Sequence, residues 1–235
     1  IKGGGLLGWL KCTESTQLLL SDVKGDKAEF IGSGLLVKSV VHLEPDEYLS
    51  KFLVPSGADE DQTHDTDVET FIIGNINLAK QAVGDAARAE NLNSFVYEEF
   101  LEGDVYLIAK KLFLQLVDAE PGIHVWGGEP TVRLPEKPGI GGRNQTLALA
   151  FAQYIGDIPD LHLLSAGTDG VDGNSNCAGA VVSMFTSQKA KKMGFDIEEE
   201  LTKANAGVLL MATDDLVNAV SNTNVMDIVI AYKSH

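Results

Sequence analysis

The stretch TFIIGNINLAKQAVGDAARAENLNSFVYEEFLEGDVYLIAKKLFLQLV, residues 70–117, decides the fold because its apolar period switches repeatedly. Thr70-Phe71-Ile72-Ile73-Gly74 is a short apolar run closed by glycine, the pattern of a strand. Asn75 is a suitable N-cap for a helix reaching Glu90, with Leu78, Ala79, Ala82, Val83 and Ala86 on one face. Ser94-Phe95-Val96-Tyr97 returns to strand, and residues 103–117 form a second helix whose stripe is Val105, Ile108, Ala109, Leu112 and Leu116. Strands separated by helices of this length predict βαβ units and a parallel sheet.

Reading outward, Gln17-Leu18-Leu19-Leu20 is expected as a buried strand feeding the polar loop 21–26, and residues 44–52 as a short helix opened by Pro45. Residues 56–67 are polar, acidic and aperiodic, a surface loop. A domain boundary is expected near 118–122, where the chain is polar and ends in Pro-Gly. Beyond it, residues 123–126 and 131–134 are expected as two strands joined by Gly127-Gly128-Glu129-Pro130. A glycine-rich loop over 135–142 precedes a helix at 144–154, a strand at 161–166, helices at 186–193 and 196–204, and a closing strand at 227–232. The expectation is an α/β chain: part of a Rossmann-like parallel-sheet domain over 1–120, then a smaller α/β domain over 121–235.

Composition narrows the partners. With 44% apolar and 22% charged residues, the 235-residue chain is an ordinary globular sequence, neither disordered nor fibrous. No apolar run is long enough to span a bilayer. A net charge of −16 repels phosphate backbones and anionic lipid, which excludes nucleic acid and membrane surfaces as natural partners. Cys12 and Cys177 are too few and too far apart for a disulfide framework or a zinc site. His124 and His162 fall in strand patterns as core or edge residues, whereas His42, His64 and His235 look exposed. No signal-peptide pattern follows Ile1, so the cytoplasm is the expected compartment, a mitochondrial presequence ahead of Ile1 being the alternative.

In an open parallel sheet ligands collect at the carboxyl ends of strands. Three polar loops are expected there. Residues 21–26 carry Ser21, Asp22 and Asp26 directly after a strand. Residues 139–145 combine Gly141 and Gly142 with a helix start and Arg143, the composition of an anion site, although a flexible glycine loop with a surface arginine has the same composition. Residues 167–173 crowd Thr168, Asp169 and Asp172 among three glycines; such a loop can hold Mg²⁺ through one or two carboxylates or orient a hydroxyl, or simply present solvated acids. The loop 139–145 is neither a Walker loop nor a dinucleotide fingerprint, and the chain has no GxSxG and no HExxH. These features alone describe an α/β protein that binds a small anionic or phosphorylated ligand.

Three segments taken together say more. Gly127-Gly128-Glu129-Pro130-Thr131-Val132, then Gly141-Gly142-Arg143-Asn144-Gln145, then the loop from Gly167 to Gly173 with Ala178-Gly179-Ala180, resemble the glycerate 2-kinases. These proteins were formerly described as hydroxypyruvate reductases, and their C-terminal part is the MOFRL domain. Thr223-Asn224-Val225-Met226-Asp227 fits the same domain, and Leu20-Ser21-Asp22-Val23, Gly32-Ser33-Gly34 and Ile72-Ile73-Gly74-Asn75 agree in order. The wording GGEPTV with TNVMD is closer to the animal branch. The resemblance implies a transferase that phosphorylates D-glycerate with ATP and Mg²⁺ in a cleft between two domains, with no dedicated protein metal site read here. It implies Arg143 and Asp169 as catalytic residues. Arg143 would stabilise the transferring phosphoryl group or hold the glycerate carboxylate; Asp169 would orient the attacking hydroxyl or help place the metal. Ser21, Asp22, Asp26, Glu129, Gly141, Gly142, Asn144, Thr168 and Asp172 would line the substrate and nucleotide site. The family also carries a long region ahead of Ile1-Lys2-Gly3-Gly4, holding a catalytic lysine and a glycine-rich loop that this sequence does not contain. Two readings follow: a partial or diverged glycerate kinase, or a non-catalytic binding or assembly subunit that keeps the fold and meets another chain where that region would sit. A true reductase is disfavoured because the glycine loop at 139–145 is not a dinucleotide fingerprint.

Overall fold

A computed structural model describes residues 2–37, 46–52, 66–156, 158 and 160–234. The chain divides into two compact units, Ile1–Asn75 and Ile76–His235. In the first, β1 (Glu14–Leu20) and β2 (Asp67–Gly74) pair in parallel, with Leu18 opposite Phe71 and Leu19 opposite Ile72. The strand expected over 17–20 is present but not buried as expected. Gln17 is covered while Leu18 stands 60% exposed, because alternate residues of a strand face opposite sides and one side of this pair lies open. Leu49–Phe52 is a single 3-10 turn where a helix was expected. Residues 44 and 45 of that segment, the loop 56–65, and His42, His64 and His235 lie outside the described residues.

The second unit is built on a six-stranded sheet of order β3-β4-β8-β5-β6-β7. Its strands are β3 (Ser94–Asp104), β4 (Gly122–Thr131), β5 (Leu161–Gly167), β6 (Gly179–Val182), β7 (Leu216–Val217) and β8 (Asp227–Lys233). β3 and β4 are parallel, joined through α2 (Val105–Val117), as a parallel connection requires a crossover. β8 inserts antiparallel between β4 and β5, so the sheet is mixed and the last strand of the chain is central. Residues 118–121 carry the chain from α2 into β4. The two strands expected over 123–134 are one. Gly127 and Gly128 continue β4, because β3 presses so close that a Cβ on Gly128 would stand 2.1 Å from the Leu101 carbonyl oxygen.

The core lies between the sheet and α2, α3 (Arg143–Ile155), α4 (Met184–Lys192) and the short α5 (Ile197–Thr202) and α6 (Ala206–Ala212). Trp126, Phe151, Leu112, Leu147, Leu163 and Leu209 are fully buried there. α2 buries Val105, Ile108, Ala109, Leu112 and Leu116, the expected stripe. α1 (Ile76–Ala89) packs on the other side of β4, since Gly127, which faces it, alternates with Trp126. Its buried stripe is Ile76, Lys80, Gly84 and Ala87, not the expected one; Leu78 is half exposed and Ala82 and Ala86 are exposed. Closeness decided this: a Cβ on Gly84 would stand 2.7 Å from Val96 Cγ2, so only the glycine face can approach β3.

Candidate functional site

α3 begins where the glycine loop ends. Gly142 is its N-cap and Arg143 its first residue. The loop is pinned rather than flexible: Gly141 N–H donates to Asn174 Oδ1 at 2.9 Å and Ile140 N–H to Asn205 Oδ1 at 3.0 Å. The helix N-terminus is also engaged. The Asp172 carboxylate, buried, accepts from Asn144 N–H at 3.0 Å and from Gln145 N–H at 2.8 Å. The protein thus supplies its own anion to the first turn of α3. Burial pushes the Asp172 carboxyl above the usual carboxylate range and the charge of Asp227 adds to this, while the two backbone N–H groups and the Asn144 amide pull it down.

Arg143 is left as the cation of the site. Its Nε donates to Asp227 Oδ2 at 2.6 Å, Nη2 to Asp227 Oδ1 at 3.2 Å, and Nη1 to Glu129 Oε1 at 3.1 Å. Burial opposes the charge on Arg143, but Asp227 and then Glu129 outweigh it and hold the guanidinium more firmly protonated than usual. Burial raises the Asp227 carboxyl above its ordinary value; Arg143 and Asn144 draw it back. Buried Asn144 ties these groups together, its amide donating to Asp172 and its Oδ1 accepting from Ser165 Oγ at 2.6 Å.

Asp169 is exposed and accepts from Val171 N–H at 3.0 Å, a tight local turn. A Cβ on Gly167 would stand 3.0 Å from Asp169 Oδ1 and 3.6 Å from Asp227 Oδ1, so the missing side chain lets both carboxylates lie against β5. Thr168 has a structural engagement: its Oγ1 donates to the Met226 carbonyl at 2.7 Å and accepts from Val225 N–H at 2.8 Å. The structure therefore gathers Glu129, Gly141, Gly142, Arg143, Asn144, Thr168, Asp169 and Asp172 around the ends of β4, β5 and α3. It adds Asp227, which the sequence shows only as the end of the TNVMD motif and the first residue of the closing strand.

Ser21, Asp22 and Asp26 belong to the first unit. Ser21 is buried, its N–H donating to the Gly74 carbonyl at 2.8 Å. Asp22 is exposed, and Asp26, at a left-handed φ of 53°, accepts from Asn75 Nδ2 at 2.7 Å.

The MOFRL family matches residues 122–227, and the domain of unknown function DUF4147 matches residues 1–54. Among the proteins similar to this chain are several named glycerate kinase or glycerate 2-kinase. The chain is 29% identical to the glycerate 2-kinase of Pyrococcus horikoshii over 98% of this chain and 58% of the relative. The same identity holds with the glycerate kinase of Bos taurus, over 84% of this chain and 50% of the relative. The crystal structure of glycerate kinase from Thermotoga maritima superposes with a TM-score of 0.86 at 26% identity, covering 99% of this chain and 60% of that one. The chain thus has the glycerate kinase fold and spans just under three-fifths of the Pyrococcus relative. No helix among the described residues is long and apolar enough to cross a membrane.

Proposed function

We propose that this chain serves in ATP-dependent phosphorylation of D-glycerate to 2-phosphoglycerate, as a partial or diverged glycerate kinase. The observation that carries this is the fixed guanidinium of Arg143, at the start of α3 and held by Asp227 and Glu129, in a chain similar to proteins named glycerate 2-kinase. Arg143 would stabilise charge on the transferring phosphoryl group or hold the glycerate carboxylate. Asp169, exposed and oriented by Val171, would take the position beside the attacking hydroxyl. The donor chemistry fits a Mg-nucleotide: Glu129 and Asp169 are hard oxygen ligands, and Mg²⁺ is commonly held by one or two carboxylates together with substrate phosphates. Among the described residues no three such side chains converge as a cage of their own. When bound, Mg-ATP would supply the phosphoryl group and offset its charge. Ser21, Asp22 and Asp26 are proposed as further substrate or nucleotide contacts, and the cytoplasm as the compartment.

A second reading, a non-catalytic assembly subunit, is favoured by one observation. Leu18, Leu20, Phe71 and Ile73 on the β1–β2 pair are between 41% and 60% exposed, whereas parallel strands are normally covered on both faces. Another chain would cover them. One experiment separates the two. The chain is mixed with D-glycerate and Mg-ATP, alone and with the N-terminal segment of a relative in trans, and products are read by phosphorus NMR. Formation of 2-phosphoglycerate that is lost in Arg143→Ala supports the kinase. Absence of product in both mixtures contradicts it and leaves the assembly role.

A further inference from the structure

We propose that Asp227 positions Arg143, locking one edge of its guanidinium so that the remaining N–H groups face an incoming phosphoryl or carboxylate anion. This rests on Arg143 being the anion-holding group of the site, as read above.

A guanidinium has five N–H donors in a rigid fork. Asp227 engages Nε and Nη2, which is one whole edge, and Glu129 engages Nη1. One N–H is left on each terminal nitrogen, the arrangement that grips an oxyanion with two bonds. The two holders are unequal. The Asp227 side chain is 4% exposed and sits at 2.6 Å; that of Glu129 is 52% exposed and sits at 3.1 Å. A solvated carboxylate exchanges readily for another oxyanion, whereas a buried one keeps its place. Glu129 therefore yields and Asp227 fixes.

Asp227 is itself held more tightly than a surface charge partner needs. The residue before it, Met226, is buried at a left-handed φ of 74°, a conformation that side chains with a Cβ rarely adopt. Thr168 clasps that turn with three hydrogen bonds: its N–H and Oγ1 both donate to the Met226 carbonyl, and Oγ1 accepts from Val225 N–H. Asp227 pairs with Gly167 across β5 and β8. Strain, clasp and burial all act on the direction of one carboxylate.

The test uses inorganic phosphate as the probe on the whole chain, followed through the nitrogen-15 resonances of the Arg143 side chain. Wild type, Asp227→Asn, Arg143→Ala and the double variant are titrated. Wild type is expected to show a resolved Nε–H signal that shifts with phosphate. Asp227→Asn should lose the resolved signal and bind phosphate about tenfold more weakly, the size expected when a charge-assisted pair is removed. Arg143→Ala should weaken phosphate at least as much, and the double variant no further. Asp227→Asn with wild-type affinity, or a loss that adds to that of Arg143→Ala, would overturn the inference alone. A wild-type chain whose Arg143 ignores phosphate would overturn the reading of Arg143 as the anion holder, and the inference with it. If Asp227→Asn does not fold, Asp227→Glu keeps the charge and displaces it by one methylene. It should then bind phosphate several-fold more weakly; unchanged affinity contradicts the proposal.

Discussion

The carboxylate of Asp172 caps the first turn of α3, accepting from the backbone N–H of Gln145 at 2.8 Å, although the two lie 27 residues apart in sequence. This contact joins the acidic glycine loop to the helix that carries Arg143. Removing it leaves two buried donors, at Asn144 and Gln145, without their partner. Asp172→Ala is predicted to lower stability by about 1–3 kcal/mol, the cost of orphaned buried groups. Asp172→Asn, which keeps one acceptor, should cost less. Urea unfolding of the three proteins checks the order.

Gly142 admits that carboxylate. A Cβ there would stand 2.4 Å from Asp172 Oδ1 and 2.5 Å from the Asp172 carbonyl carbon, and backbone cannot swing aside as a long side chain can. Gly142→Ala is therefore predicted to destabilise by about 1–3 kcal/mol through overpacking. It should also disturb Arg143, the next residue. Thermal melting and the Arg143 nitrogen-15 signal report the two effects separately.

His124 gives the fold a pH dependence of definite sign. Its ring is buried, with Nε2 donating to the Glu120 carbonyl at 2.9 Å. Nδ1 must then accept from Tyr97 Oη at 2.9 Å, so the neutral ring satisfies both contacts. Burial, the largest cause, and the charge of Lys233 lower its pKa from 6.5, partly offset by the Glu120 contact. The unfolded chain thus takes up a proton that the folded chain refuses. Stability is full above the unfolded value and falls as pH drops below 6.5, by at most about 1.4 kcal/mol per pH unit. Melting between about pH 8 and about pH 5.5 should show this fall, and His124→Gln should flatten it. Equal slopes would refute the assignment.

Lys233 is the last residue of β8 and lies opposite Gly122, at the start of the strand that carries His124. Its Nζ donates to the carbonyls of Leu116, Val117 and Ala119, the first two in the last turn of α2, where helix carbonyls are unpaired and the dipole favours a cation. Lys233→Met is predicted to cost about 1–2 kcal/mol by loss of these bonds and of the dipole interaction. Because Lys233 also depresses His124, the variant should show a shallower acid limb as well as a lower melting temperature.

The α2 stripe and the strands at 70–74, 161–166 and 227–232 were legible because apolar periodicity reports local structure directly. The continuous β4 was not, because Gly127 and Gly128 read as a turn unless one knows that β3 lies against them. The face of α1 was misread for a related reason: Leu78 looks like a core residue, yet the approach to β3 is set by Gly84, whose lack of a side chain has no hydrophobic signal. In the candidate site, the residue types marked the loops, but their contacts did not show. An Asp-Gly-rich loop says nothing about which acid turns inward to cap a helix. Asp227 stands at the start of an ordinary-looking strand, and only the antiparallel insertion of β8 brings it to Arg143.

The central claim is that Arg143 is the charge-stabilising group of a glycerate-phosphorylating site. The most direct test is the rate of 2-phosphoglycerate formation by wild type, Arg143→Lys and Arg143→Ala, with the N-terminal segment of a relative present and folding checked by melting temperature. The prediction is a loss of about 10²–10³ in turnover for Arg143→Ala, as when a transition-state donor is removed, and only partial recovery in Arg143→Lys, whose point charge cannot reproduce the fork. Turnover by a folded Arg143→Ala protein at the wild-type rate would contradict the account.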